Sequence, residues 1–434
     1  MGANKAIYLS TLGCRLNEAE LAQWRRGFFS AAHRVVDCPE DADAVVVNSC
    51  AVTSSATRKS KRLIRKIHRT SPSAHLVVTG CFASLQPNMA AQMLGVDLVI
   101  DNQDKDQLVN RVLCHLDAGL SPTAGAEPHA VPMYRQCKTR AFVKVQDGCR
   151  NQCTFCIVTI ARGQERSRTI DSIVSEVQSL NEAGYNEVVL TGVHLGGYGS
   201  DINSSLPELI QTLLSHTSIP RIRLGSLEPW DLSADFFTLW DNPRLCAHLH
   251  LPLQSGCDAT LHRMARRCST DEYEKLTSIA RDTIPTLNIT TDLIVGFPGE
   301  SEDEFAQTHA FIQRIGFGHI HLFSYSPREG TPAYRMRGAV PKDITRDRSM
   351  TLRATADTMK QHRLLQEVGK IHRVLWERPT QLLDRYIWKG YTANYLPTTT
   401  TTPRDVEINN QITTVQIKGI NDTFQLCGES PAQN

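Results

Sequence analysis

The sequence predicts an α/β protein in three parts: an N-terminal open parallel βαβ sheet domain, a central (βα) barrel and a small C-terminal β-barrel. Three observations predict it. Short apolar runs alternate with helical periodicity over the first hundred residues; strand–helix units then repeat beyond a polar stretch; and the final segment carries only short β-like runs punctuated by Gly and Pro. A chain of 434 residues with 41% hydrophobic content can bury the cores of two or three such domains.

In the first part, Ile7 to Thr11, Val45 to Ser49, Leu76 to Gly80 and Val96 to Ile100 read as buried parallel strands, with helices such as Leu16 to Ala32 and Ser54 to Arg69 between them. Cys14, Cys50 and Cys81 each come just after one of these strands. In an open parallel sheet the carboxyl ends share one edge, which is where ligands bind, so three thiols remote in sequence should converge there. Cysteines kept only for packing would fall more often inside strands or helices. Cys38 and Cys114 lack this placement and read as packing or surface residues.

From Asp117 to Thr139 the composition shifts to Ala, Gly, Ser, Pro and polar residues, which reads as a linker. The expected boundaries are 1–118 for the sheet domain, 119–138 for the linker, 139–363 for the barrel and 364–428 for the β-barrel domain. Barrel strands are expected at Phe142 to Val145, Glu187 to Thr191, Ile222 to Ser226, His248 to Leu253, Asn288 to Ile294 and His319 to Tyr325. Active sites of such barrels gather at the carboxyl ends of their strands. A charged helical run from Asp343 to Glu367 leads to β-like runs at Ile371 to Trp376, Ile408 to Asn410 and Thr413 to Ile420. Thr398 to Thr402, followed by Pro403, reads as a flexible loop.

The first barrel strand runs straight into Gly148-Cys-Arg-Asn-Gln-Cys-Thr-Phe-Cys156, three thiols spaced C-x3-C-x2-C. One tight loop of three thiolates can hold three irons of a 4Fe-4S cubane and leave the fourth iron open. A structural zinc site would need a fourth nearby ligand, and no paired C-x2-C follows. The spacing resembles the radical S-adenosylmethionine (SAM) superfamily, in which SAM occupies the open iron and is cleaved by one electron to a 5′-deoxyadenosyl radical.

Charge and composition narrow the partners. The net charge of +2 gives no general affinity for phosphates. Local cation density does exist between Arg58 and Arg69, a run without an acid in which Leu63, Ile64 and Ile67 form a narrow apolar stripe. The polar start of the chain does not form a signal peptide, so the cysteines are expected in a reducing cytoplasm as metal ligands rather than disulfides. No membrane partner is expected, since no apolar run of about eighteen residues occurs. His248 and His250, alternating on one strand, read as hydrogen-bonded barrel histidines rather than metal ligands. Cys246, Cys257, Cys268 and Cys427 read as incidental.

The chain resembles the methylthiotransferase family along nearly its whole length. The likeness is carried by Thr11-Leu-Gly-Cys-Arg-Leu-Asn17, Val47-Asn-Ser-Cys-Ala-Val-Thr53, Val78-Thr-Gly-Cys-Phe-Ala83, the C-x3-C-x2-C loop, Ala161-Arg-Gly163 with Ser167-Arg168, and His250-Leu-Pro-Leu-Gln-Ser-Gly256. The resemblance implies an N-terminal three-cysteine domain, a radical SAM domain and a C-terminal TRAM-like domain. It implies two 4Fe-4S clusters, one on Cys14, Cys50 and Cys81 and one on Cys149, Cys153 and Cys156, with SAM bound at the second. Gly192, Gln254 and Gly296, each after a barrel strand, would line the SAM pocket, and Arg168 could meet the SAM carboxylate.

Three further segments are similar to the branch acting on N6-threonylcarbamoyladenosine (t6A) in tRNA: Leu190-Thr-Gly-Val-His-Leu-Gly-Gly-Tyr-Gly199, Thr290-Thr-Asp-Leu-Ile-Val-Gly-Phe-Pro-Gly-Glu300 and Phe323-Ser-Tyr-Ser-Pro-Arg-Glu-Gly-Thr-Pro332. Other branches act on isopentenyladenosine in tRNA or on a ribosomal-protein aspartate. The implied partners are t6A-bearing tRNA, an electron donor and a sulfur source. The implied target, adenine C2, carries an unactivated C–H bond that acid–base or nucleophilic side chains cannot break. A rival reading is a non-catalytic RNA-binding protein holding zinc or a purely structural cluster.

Overall fold

The computed structural model describes residues 4–117, 139–382 and 384–429. The expected linker over 119–138 lies outside the described residues. The described chain packs into two compact units that are not contiguous in sequence: the described residues up to 117 gather with Asp147–Arg166 and Ser326–Tyr334, and the other described residues form the second unit.

The first unit is built on five parallel strands, β1 (Ala6–Thr11), β2 (Arg34–Val36), β3 (Ala44–Ser49), β4 (His75–Gly80) and β5 (Val96–Ile100), in the order β2-β1-β3-β4-β5. Only β2 was not foreseen, being three residues long. Alternate residues of β3 feed two apolar layers. Val45 and Val47 pack with Ile64, Ile67 and Phe82 on one face, and Ala44 and Val46 with Trp24, Phe28 and Leu108 on the other. Burial of β3 along its whole length follows, as expected of a parallel strand covered on both sides. Helices α1 (Arg15–Ser30) and α2 (Ser54–Thr70) start directly beyond β1 and β3, the second capped by the Thr53 side chain accepting from the Ala56 amide at 3.1 Å.

The second unit holds a partial barrel and a closed one. The parallel strands β6 (Ala141–Lys144), β7 (Glu187–Thr191), β8 (Arg221–Leu224), β9 (His248–His250), β10 (Asn288–Val295) and β11 (His319–Ser324) follow one another around an arc. The two three-stranded halves are joined between β8 and β9 by the single bridges Ile222↔Leu245 and Ser226↔His250. Helices pack outside, two of them opened by capping boxes, Ser269 with Glu272 and Ser301 with Glu304. At the amino ends of the strands, the buried Glu187 of β7 pairs with Arg223 of β8 at 2.7 Å.

The helix Lys342–Leu365 leads to β12 (Ile371–Trp376), β13 (Arg385–Thr392), β14 (Pro397–Pro403), β15 (Ile412–Ile420) and β16 (Leu426–Glu429). They pair in the ring β12-β15-β16-β14-β13, closed by β13 against β12, around Val374, Trp376, Trp388, Val415 and Leu426. Two expectations are corrected here. The threonine run is not a loop: it is β14, in register with β13. Threonine is β-branched and suits a strand, Thr398 is buried, and the Thr402 hydroxyl accepts from the Trp388 indole at 2.8 Å. Residues 408–410 form a turn rather than a strand, with Asn410 at φ +56°.

Candidate functional site

Cys14 follows β1, Cys50 follows β3 and Cys81 opens a short helix after β4, so the thiols leave three neighbouring strands of one sheet at the same edge. Strands lie about 4.8 Å apart, which brings three consecutive strand ends within reach of one small group. The close approach is visible at Gly13, φ +116°, where an added Cβ would stand 2.9 Å from the Cys50 Sγ. Burial pushes the Cys50 thiol up, and the nearby Cys81 and Cys14 add to the rise. Three thiols gathered at one sheet edge are a donor set that a metal or cluster can use.

The second set shares this unit. The loop is closed by the Cys149 amide donating to the Gly163 carbonyl at 3.1 Å, and the Cys156 amide donates to the Cys153 carbonyl at 3.0 Å. Gly148 at φ +75° makes the turn, since a Cβ there would lie 1.9 Å from the Gln164 carbonyl oxygen. Burial pushes the Cys156 thiol up to about 12, with Cys153 and Cys149 adding to the effect. Between these cysteines, Asn151 is buried with neither side-chain amide atom hydrogen-bonded. An orphaned amide beside three half-exposed thiols fits a loop shaped to receive a polar group.

A buried polar network joins the two cysteine sets, and sequence reasoning missed it. The Arg162 guanidinium donates to Glu20 at 2.9 Å, Asp147 at 2.9 Å and Asn17 at 2.8 Å. Lys105 donates to Glu20 at 2.6 Å and to Asn48 at 3.1 Å. All six side chains are buried. The signal was present in part, since Asn17, Asn48 and Arg162 stand inside three of the quoted motifs.

Of the residues read toward SAM, Gly192, Gln254 and Gly296 do follow β7, β9 and β10 at their carboxyl ends. Gln254 takes φ +74° while bridging to β10, its amide donating to the Asp292 carbonyl at 2.8 Å. The Gly296 amide donates to the Glu300 carboxylate at 2.8 Å, and its Cα faces Thr345 so closely that a Cβ would meet that hydroxyl at 2.5 Å. Arg168 donates to Glu176 at 2.5 Å and to the Lys144 carbonyl at 2.9 Å. His248 and His250 are both hydrogen-bonded to Thr290, at 3.0 and 2.9 Å, and His250 also lies beside Asp292 and His321 in a group close enough to share a cation.

Helix α2 buries Ser60, Ile64 and Ile67 and exposes Arg58, Lys59, Arg62, Arg65, Lys66 and Arg69. The stripe read from sequence is its packed side. Among the described residues no helix is long and apolar enough to cross a membrane.

A parallel partial barrel preceded in the chain by a three-thiol sheet domain defines a class, and comparison with known proteins agrees with it. The Radical SAM superfamily model matches residues 143–312, and the model described as Uncharacterized protein family UPF0004 matches residues 6–101. The threonylcarbamoyladenosine tRNA methylthiotransferase MtaB of Thermotoga maritima is 35% identical over 90% of this chain and 89% of its own. Its Bacillus subtilis counterpart is 34% identical over 90% and 89%. A tRNA-2-methylthio-N(6)-dimethylallyladenosine synthase of Acetivibrio thermocellus is 31% identical over 90% and 84%. Among solved structures, the radical SAM methyltransferase TsrM of Kitasatospora setae superposes with a TM-score of 0.58 at 14% identity, over 76% of this chain and 77% of that one, a likeness of fold. The chain belongs to the radical SAM methylthiotransferase family. The cofactors of that family are SAM and two 4Fe-4S clusters.

Proposed function

We propose that this chain methylthiolates C2 of N6-threonylcarbamoyladenosine next to the anticodon of tRNA, giving the 2-methylthio derivative. The observation that carries the reading is the pair of three-cysteine sets in one compact unit of a chain 35% identical to a protein named for that activity. Four relatives bearing the threonylcarbamoyladenosine name lie at 32–35% identity, and four bearing the dimethylallyladenosine name at 30–31%.

In this reading Cys14, Cys50 and Cys81 hold one cluster and Cys149, Cys153 and Cys156 the other, each set one ligand short of four. Bound there, the clusters and SAM supply the radical and sulfur chemistry that an unactivated C–H bond demands. The chain's own part is to hold and orient. The turn at Gly148 and the Cys149–Gly163 bond keep three thiols on one side of the loop. Asn151 offers its amide to whatever polar group sits beside them. The exposed cations of α2 supply local positive charge for an RNA backbone.

The test is nucleoside mass spectrometry of tRNA from cells with and without the gene. Loss of 2-methylthio-t6A with accumulation of t6A is expected. Loss of the isopentenyl derivative instead would move the substrate and keep the chemistry, and no change in either nucleoside would end the tRNA reading. For α2, the triple change Arg62→Glu, Arg65→Glu, Lys66→Glu should weaken tRNA binding by roughly tenfold or more and flatten its dependence on salt. Unchanged affinity across a salt series would remove this helix from the interface.

A further inference from the structure

Burying charges is costly, and replacing a buried ionic group by apolar side chains of similar volume is often neutral or stabilising. The quartet Glu20, Lys105, Asp147 and Arg162 therefore needs a reason beyond stability. Its position supplies one. The Arg162 guanidinium reaches Asn17, whose Oδ1 lies 3.7 Å from the Cys14 Sγ, and also Asp147, whose Oδ1 accepts from the Gly148 amide at 2.8 Å, one residue before Cys149. One cation thus touches the turn of the first cysteine set and the loop of the second. Lys105, the other cation of the quartet, joins the same network through Glu20 and, by way of Asn48, through Asn17. Cys50 and Cys81 are 5% and 4% exposed, so little water screens these charges from those two thiols, while Cys14 is exposed.

We propose that Arg162 is a positioning residue whose charge raises the reduction potential of the iron–sulfur group held by Cys14, Cys50 and Cys81, with Glu20 as the counterweight that lowers it. The proposal rests on the ligand assignment made under Proposed function. Reduction adds negative charge to a cluster; a fixed cation in a low-dielectric site stabilises the reduced form, and a fixed anion opposes it. Arg162 has a guanidinium fork that serves Glu20, Asp147 and Asn17 together, so its charge is held in one place.

The experiment uses the full-length chain carrying Cys149→Ala, Cys153→Ala and Cys156→Ala, reconstituted anaerobically, so that only the first site can hold iron. Iron content and an EPR-monitored redox titration are read for this background and for added Arg162→Gln, Arg162→Lys and Glu20→Gln. Arg162→Gln should shift the reduced-to-oxidised ratio at fixed potential by about tenfold toward oxidised, or 59 mV downward for a one-electron couple. Glu20→Gln should shift it upward, and Arg162→Lys should stay near the background. General damage to the fold would not move the two variants in opposite directions. An iron-loaded Arg162→Gln with an unmoved potential, or shifts of the same sign in both variants, overturns the proposal. If Arg162→Gln does not fold, Glu20→Gln decides: an upward shift supports the proposal, and an unmoved or lowered potential in an iron-loaded Glu20→Gln overturns it. A background that binds no iron fails differently: it removes the ligand assignment, and the proposal with it.

Discussion

Cys153→Ala is expected to yield a folded chain that binds tRNA with nearly wild-type affinity, carries about half the iron, and forms no 2-methylthio nucleoside. With two cubane clusters the loaded chain should hold about eight irons, and the variant about four. The loss should be complete rather than partial, because Cys149 and Cys156 are the two thiolates the loop would keep, and a neutral Asn151 amide or the Glu165 carboxylate is a poor replacement for thiolate on a cubane iron. Folding should survive, since Cys153 is half-exposed and lies outside the apolar cores. Iron analysis, filter binding and nucleoside mass spectrometry check the three parts separately. Retained product at a tenth of wild type or more would show that a cluster on this loop is not needed for turnover.

The second large effect concerns stability. Glu187 and Arg223 are both 0% exposed, and Arg223 adds bonds to the Thr392 and Ala393 carbonyls at 3.4 and 3.0 Å. Arg221, also buried, lies 3.6 Å from the same carboxylate. Glu187→Ala leaves these guanidinium groups without their counter-charge and should cost about 3–5 kcal/mol, read as a lower urea midpoint. The double variant Glu187→Ala, Arg223→Met should recover much of that loss. Acid should act in the same direction. Burial alone would raise the Glu187 carboxyl, but Arg223 and its neighbours Arg140 and Arg221 hold it below its ordinary value of 4.5. A depressed carboxylate contributes fully above the unfolded value, so this stability is present above about pH 4.5 and is lost as the pH falls through the lower folded value. A single variant within 1 kcal/mol of wild type would show that the ion pair is dispensable.

The convergence of the first three thiols was legible because cysteines carry positional information. Thiols placed just after apolar strands had to share a sheet edge, and the order β1-β3-β4 puts Cys14, Cys50 and Cys81 on neighbouring strands. The network beneath them was not legible. Glu20 looks like any acid on an amphipathic helix and Lys105 like any surface lysine, and only the packing of the Asp147–Arg166 segment with the sheet unit buries them together. The threonine run misled for a related reason: its polarity reads as loop, while its β-branching serves a strand that a tryptophan indole can satisfy. Arg168, read toward a carboxylate, does meet one, but in the structure it is Glu176.

The way the first unit is assembled bears on the order of events during synthesis. Its sheet is complete by residue 100, yet its cysteine loop comes from 147–166 and its last piece from 326–334, where the Ala333 amide donates to the Thr154 carbonyl at 2.9 Å and Ser54 bonds Ser326 at 3.1 Å. A ribosome delivers the chain from its amino end, so this unit stays open until most of the protein has emerged. On the proposed ligand assignment, iron would find a window in which the sheet edge already exists and the final segment has not yet arrived.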